Sequence, residues 1–242
     1  MRVLVTFAVQ AEFAPLRRMR NFNRVSETEF VMKSGDTEVH ALITGIRARK
    51  FRLPDADVCI ASGVAGSLRT QHTVGSVLVA KTVKRDDLEV QSDACLVETA
   101  VQCGAELVDS FYTADNIVGT SSEKSHLGKI ADAVDMESYP ILAEANRRGI
   151  PAVAVRAISD TADQKLPLDF SRVINEDGKL EWLPALSQVA ASPGSLAQLV
   201  RFGFDSSRAA RQLAEFLDKY LECLAAGAHF SAAKRKRDSV QP

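Results

Sequence analysis

The chain has 242 residues, 46% hydrophobic and 25% charged, enough for one sizeable globular core. Its formal net charge of −1 offers no global field to a nucleic acid. The four cysteines form no C-x-x-C pair, and no apolar run approaches the roughly 20 residues of a bilayer span, so the expectation is a cytoplasmic protein with free thiols and no transmembrane segment.

The opening M-R-V-L-V-T-F is too short and too strand-like for a signal peptide and reads as a strand over 2–7. Residues 11–19 carry apolar side chains at helical spacing. Strands are expected at 29–33 and 38–44 about a Ser34-Gly35-Asp36 turn, at 58–61, and at 75–83. The stretch 88–104 reads as a helix. A short apolar run at 132–135 leads into a helix over 136–148, which Gly149-Ile150-Pro151 stops. Residues 152–158 are almost continuously apolar, as in a strand buried on both faces. Amphipathic stretches follow at 186–204, broken at Ser192-Pro193-Gly194, and at 208–226. Alternating strands and helices predict a single α/β domain, three-layer α/β/α around a central mixed twisted sheet. Extra C-terminal helices are expected as an extension over 173–230. The last segment, 231–242, contains the basic run Lys234 to Arg237 and reads as a disordered, solvated tail, or as a polyanion or membrane contact.

Charged residues gather where these strands end. Glu12 follows the first strand, in the first turn of a helix, where a carboxylate also suits the helix dipole. Glu137 has the same alternative. Gly63-Val64-Ala65-Gly66 follows the strand at 58–61 and is either a tight turn or a place where backbone amides meet a ligand. Arg156, Ile158 and Asp160 alternate on one strand and should share a face. A buried arginine needs an anionic partner, for which Asp135 and Glu137 are candidates. Asp160 is either a helix N-cap or an acid able to donate to a ring nitrogen. The four histidines are scattered and no G-x-S-x-G occurs, which argues against a zinc site and an α/β-hydrolase.

Taken together, V-D-M-E-S at 134–138 and V-R-A-I-S-D-T-A-D at 155–163 resemble the nucleoside phosphorylase and nucleosidase superfamily. The likeness is nearest to 5′-methylthioadenosine/S-adenosylhomocysteine nucleosidases and futalosine hydrolases. It runs from residue 1 to about 170, with looser support from Glu12, S-G-V-A-G-S-L at 62–68 and A-D-N-I-V at 114–118. The resemblance implies N-glycosidic cleavage of a purine nucleoside, with no cofactor or metal. Glu12 would activate the attacking water, Asp160 with Ser159 would protonate, or share a proton with, purine N7, and Arg156 would orient the water and its carboxylates. Glu137 would hold the ribose hydroxyls with Met136 against the sugar. Val64, Ala65, Gly66 and Asp135 would join the substrate site, with Ile117 and Val118 beside the base. A homodimer is expected.

The chain departs from that pattern at Ile117, where phenylalanine is usual, at Val64, where serine is common, and over 44–53, which is basic. From Val173 on it looks more like the tails of hopanoid-associated phosphorylases, which act on adenosylhopane. The phosphorylase branch usually shows G-D-P-x-R near the N-terminus. Here A-V-Q-A-E-F stands at 8–13, so water is the expected nucleophile, with Arg47, Arg49 or Arg52 able to supply a phosphate site. The alternatives are phosphorolysis and a non-catalytic nucleoside-binding protein.

Overall fold

A computed structural model describes residues 1–165 and 195–238. Strands β1 (Arg2–Phe7), β2 (Asn23–Arg24), β3 (Glu29–Ser34), β4 (Thr37–Ile43) and β5 (Val58–Ser67) fill the first third, with helix α1 (Gln10–Met19) after β1. Then come β6 (Val77–Arg85), β7 (Leu88–Gln91), α2 (Ala94–Gln102), β8 (Glu106–Thr113), α3 (Ser121–Leu127), β9 (Ala133–Asp135), α4 (Ser138–Arg147), β10 (Ala152–Asp160) and α5 (Ser195–Asp238).

The mixed sheet runs β2-β3-β4-β1-β5-β9-β8-β6-β10, with β7 paired to β6. β10 pairs back onto β5, so β5, β9, β8, β6 and β10 close a ring. β5 is the seam. Its first half lies between β1 and β10, and its second half lies between β10 and β9. The register sets Gly66 opposite both Val134 and Asp160. Closure therefore brings the ends of β9 and β10 to one level beside the second half of β5.

Apolar side chains alternate between two cores. Val153, Val155 and Ala157 of β10 join Phe13 and Leu16 of α1, Val97 of α2 and Leu213 and Leu217 of α5. Ala152, Ala154 and Ile158 join Ile141, Leu142 and Ala145 of α4 on the other face. Two sets of helices thus sandwich the sheet.

Three sequence expectations need correction. Gly63-Val64-Ala65-Gly66 is no turn: β5 continues through it, because neighbouring strands pair with it along its length. The stretch 88–104 is not one helix. Leu88-Glu89-Val90-Gln91 alternates apolar and polar, turns back at Asp86 (φ 50°) to pair with β6, and only then does Asp93 cap α2 through the Leu96 amide at 3.1 Å. The alternation of Arg156, Ile158 and Asp160 breaks at a register shift between Ile158 and Asp160, so Asp160 stands beside Ser159 at the site while Ile158 stays in the core. Strand β8 and helix α3 were not anticipated from the sequence.

Helix α5 is built into the first core, not laid over it. Ala209, Leu213, Ala214, Leu217, Tyr220 and Leu221 are buried, the Tyr220 hydroxyl donates to Leu96 O at 2.8 Å, and Arg20 at the end of α1 pairs with Asp218 and Glu222. The expected break at 192–194 lies outside the described residues. Among the described residues no helix is long and apolar enough to cross a membrane. Leu217→Ala, at a position with 0% exposure, should cost about 2–5 kcal/mol in urea unfolding. A cost under about 1 kcal/mol, the range of surface changes, would make α5 an appendage.

Candidate active site

The site begins with the abrupt passage from β1 into α1. The first amides of a helix lack internal partners, and Glu12, in the first turn, reaches back to them. Its Oε2 accepts from the Ala8 and Val9 N–H groups at 2.8 and 3.3 Å, and Oε1 accepts from the Val64 N–H on β5 at 2.9 Å. The carboxyl is nonetheless buried, and burial pushes its pKa above the usual range. The Val64 amide, Arg156 and the Val9 and Ala8 amides offset this only in part.

Arg156 lies in the middle of β10 with no exposure, opposite Gly63 of β5. Its Nε donates to Asp135 Oδ2 at 2.6 Å. Nη2 lies equally near that oxygen but is not aligned to donate. Asp135 ends β9 and is fully engaged: Thr113 Oγ1 donates to Oδ1 at 2.8 Å, while the Ser138 amide and hydroxyl donate to Oδ2. Asp135 is therefore the structural partner of Arg156 and the cap of α4. Burial opposes the charge of Arg156, but Asp135, Glu137 and Glu12 together hold it more firmly protonated than usual.

Glu137 precedes α4 and caps nothing with its side chain. It turns into the site, where Oε1 accepts from the Arg47 N–H at 2.8 Å. Burial and the neighbouring Asp135 raise its pKa from the usual 4.5 to about 8. Arg156 and the Arg47 amide pull it down and Glu12 adds to the rise. Burial and the two neighbouring carboxyls thus favour the protonated form of Glu137.

The other pole is Asp160. Its Oδ1 accepts from the Ser159 hydroxyl at 2.7 Å, and that hydroxyl also contacts Ala65 O at 3.2 Å. Its Oδ2 is held by Lys124 of α3, a lysine with no exposure whose Nζ also donates to Thr161 O at 2.8 Å and Gln164 O at 3.2 Å. A capping box between Thr120 and Glu123 starts α3 and presents Lys124 inward. The sequence reading missed Lys124, since nothing in S-S-E-K-S-H-L marks one lysine as buried.

These groups surround a cavity of about 250 Å³, just below the roughly 300–1,000 Å³ of ligand pockets. Its walls hold every expected site residue except one: Glu12, Val64, Ala65 and Gly66, then Ile117 and Val118, then Asp135, Met136 and Glu137, then Ser159 and Asp160. Arg156 stands behind them. Unforeseen wall residues are Ala8, Val9, Ile46, Asn116, Val134 and Phe202 of α5. The small residues of β5 make room for side chains more than for a ligand. A Cβ on Gly63 would lie 2.9 Å from Arg156 Nη1 and 3.1 Å from Glu12 Oε1, and one on Gly66 would lie 2.9 Å from Asp160 Oδ2. Among the described residues, no group of three or more His, Cys, Asp or Glu is placed to hold a metal ion.

Glu137 ties stability to pH. Its carboxyl releases its proton near 4.5 in the unfolded chain and near 8 in the folded one, so between those values the folded state holds the extra proton. Stability from this group is complete below about 4.5, falls as pH rises, and levels off above about 8. Glu12 acts in the same direction. In Glu137→Gln, urea unfolding at a series of pH values should show a shallower decline across this window. An unchanged slope would mean that Glu137 is ionised in the fold.

Comparison with known proteins agrees with this architecture. The family model described as Phosphorylase superfamily matches residues 26–180. A 5′-methylthioadenosine/S-adenosylhomocysteine nucleosidase of an Exiguobacterium strain is 29% identical over 172 residues, 60% of this chain and 72% of that protein. Its Staphylococcus aureus namesake is 27% identical over 172 residues, 60% and 74% of the two chains. Among solved structures, the Helicobacter pylori nucleosidase of that name, complexed with a pyrrolidine inhibitor, superposes with a TM-score of 0.69 at 16% identity, covering 92% of this chain and 98% of that one. Futalosine hydrolase of Helicobacter pylori superposes with a TM-score of 0.68 at 16% identity, covering 92% and 97%. That coverage gives the C-terminal helix a counterpart in the superposed structures. With the family model spanning more than half its length, the chain belongs to the phosphorylase superfamily.

Proposed function

We propose that this protein hydrolyses the N-glycosidic bond of a purine nucleoside, a 5′-substituted adenosine, and releases adenine. The observation that carries the reading is the charge pattern of the pocket wall: it holds four carboxyls, Glu12, Asp135, Glu137 and Asp160, and among the described residues no lysine or arginine. A phosphate nucleophile would meet this wall with no cation to receive it, whereas a water molecule needs only a base. The names of the two relatives given above, both nucleosidases, favour the same branch.

Glycosidic cleavage passes through an oxocarbenium-like transition state, and a base on one side with an acid on the other serves it. Glu12 is the base. Its raised pKa makes it a better proton acceptor than an exposed carboxylate, and its three amide donors fix its position. Asp160, ion-paired to Lys124 through one oxygen and bonded to Ser159 through the other, shares with N7 of the departing base a proton that N7 takes up from solvent, and so stabilises the leaving purine. Glu137 holds the ribose diol, and its retained proton lets it donate as well as accept. Arg156 keeps the carboxyls in place from behind. Val9, Ile46 and Phe202 supply an apolar wall for the 5′ substituent, in place of the stacking surface that Ile117 does not give.

Purified protein should release adenine from 5′-alkylthioadenosines without phosphate, read by chromatography of the free base. Strict phosphate dependence with sugar 1-phosphate as product would overturn the hydrolytic reading. Asp160→Asn should lower kcat by about 10²-fold or more, the usual contribution of a placed acid, with nucleoside binding largely kept. Wild-type turnover in Asp160→Asn would remove it from the acid role.

Gly66→Ala tests the same group without touching it. The added methyl would meet Asp160 Oδ2 at 2.9 Å. A displacement of about 1 Å can cost about 10²-fold. The expected result is a loss of that order in kcat with little change in melting temperature. Unaltered kcat would mean that Asp160 need not sit where the strand holds it.

A further inference from the structure

Residues 114–118 form a wall between the nucleoside pocket and two outer grooves. Asn116 lines all three spaces, and Ile117 and Val118 line both the pocket and one groove. The wall runs from the end of β8 to the Thr120 cap of α3. Among the described residues, Asp115 to Val118 make no backbone–backbone hydrogen bond. A segment without a ladder of its own opens locally at little cost. Side chains from elsewhere hold it instead. Arg47 Nε donates to the Asp115 carbonyl at 2.9 Å and Arg47 Nη2 to Asn116 Oδ1 at 3.5 Å, while Arg85 Nη2 donates to Asp115 Oδ1 at 2.7 Å.

Arg47 also reaches the other side of the pocket. Its N–H donates to Glu137 Oε1 at 2.8 Å. Among the described residues, only Arg47 bonds both to that carboxyl and to the wall. Its conformation is costly. Arg47 has φ of 70° and Ala48 φ of 42°, left-handed values that favour glycine. A glycine at 47 would supply the amide for Glu137 without that strain. What the arginine adds over glycine is its hold on Asp115 and Asn116.

We infer that Arg47 is a positioning residue of the nucleoside pocket, tying the 114–118 wall to Glu137 so that purine and ribose are held in one fixed relation. The inference rests on the nucleoside reading of the pocket and deepens it. Ile117 and Val118 present no aromatic face, so the place where the wall stands, and not stacking, orients the base. A wall that drifts would let the purine tilt away from Asp160 while Glu137 still held the sugar. The apolar contacts would remain, so binding would change little. Turnover would suffer, because a misplacement of about 1 Å can cost about 10²-fold.

The test compares full-length wild type with Arg47→Gly and Arg47→Ala. Arg47→Gly keeps the amide, relieves the backbone and removes the tether. Its melting temperature should equal or exceed that of wild type. Its kcat for adenine release from 5′-alkylthioadenosines should fall about tenfold or more, with KM within about threefold. Arg47→Ala keeps the strained conformation without the tether. It should lose kcat to the same extent while melting below the glycine variant. Amide hydrogen exchange at 115–118 should quicken about tenfold or more in both variants and stay unchanged in β5 and β10. The inference falls if kcat of Arg47→Gly stays within about twofold of wild type, or if exchange at 115–118 does not change. It falls also if the glycine variant loses kcat together with melting temperature, which would make Arg47 a residue of the fold alone. A kcat lost in Arg47→Ala and kept in Arg47→Gly would assign the effect to the backbone and overturn the tether. Adenine release by wild type beside an unaffected Arg47→Gly would sink this inference and keep the nucleosidase reading. No release by wild type would sink both.

Discussion

One buried guanidinium sets the terms for the rest of the site. Arg156 has no exposure, and an arginine taken out of water must be matched by anions placed to receive it. Asp135 meets that need and is itself fixed by Thr113 and Ser138. The charge of Arg156 is then largely spent on a structural pair, and Glu12 and Glu137 share only what is left. Burial outweighs that share, and both carboxyls sit above their usual pKa. The structural ion pair of Arg156 and the unusual state of its neighbours are therefore one arrangement.

The closed sheet is what allows so many charged groups to meet. β5 carries glycine where Arg156 and Glu12 must pass and again where Asp160 must sit. A side chain at either position would push these groups apart. The Val64 amide between the two glycines holds Glu12. A strand that lacks side chains at two points thereby gives up packing of its own, and its neighbours on β10 and α1 fill the space with chemistry. Closure through β10 also explains why Asp160 and Glu12 reach one cavity from opposite halves of the sequence.

The sequence made some of this legible because some of the physics is local. Glu12 after a strand, Glu137 before a helix and Asp160 at the end of an apolar run are visible as charges at element boundaries, and each lines the cavity. The strand β7 was legible in the alternation of Leu88-Glu89-Val90-Gln91 and was overlooked in favour of the longer helical pattern behind it. Other features were not legible. That Gly63 to Gly66 is a strand depends on two partner strands distant in sequence. That Lys124 is buried depends on how α3 meets the end of β10. That Phe202 lines the pocket depends on the packing of Ala209 to Leu221 farther along the same helix. Each of these is a long-range contact for which no spacing rule exists.

The separation of charges between the two cavities has its own logic. A cation in the nucleoside pocket would favour the ionised forms of Glu12 and Glu137 and undo the shifts that burial creates. A protein that keeps a basic carboxyl near the reacting carbon must then hold its other cations at a distance or already paired. Arg156 and Lys124 are paired, to Asp135 and Asp160. Arg47, Arg49, Arg85 and Arg147 line a neighbouring groove that shares Asn116 and Met136 with the pocket. Arg47 belongs to both regions: its amide steadies Glu137, while its guanidinium faces the groove.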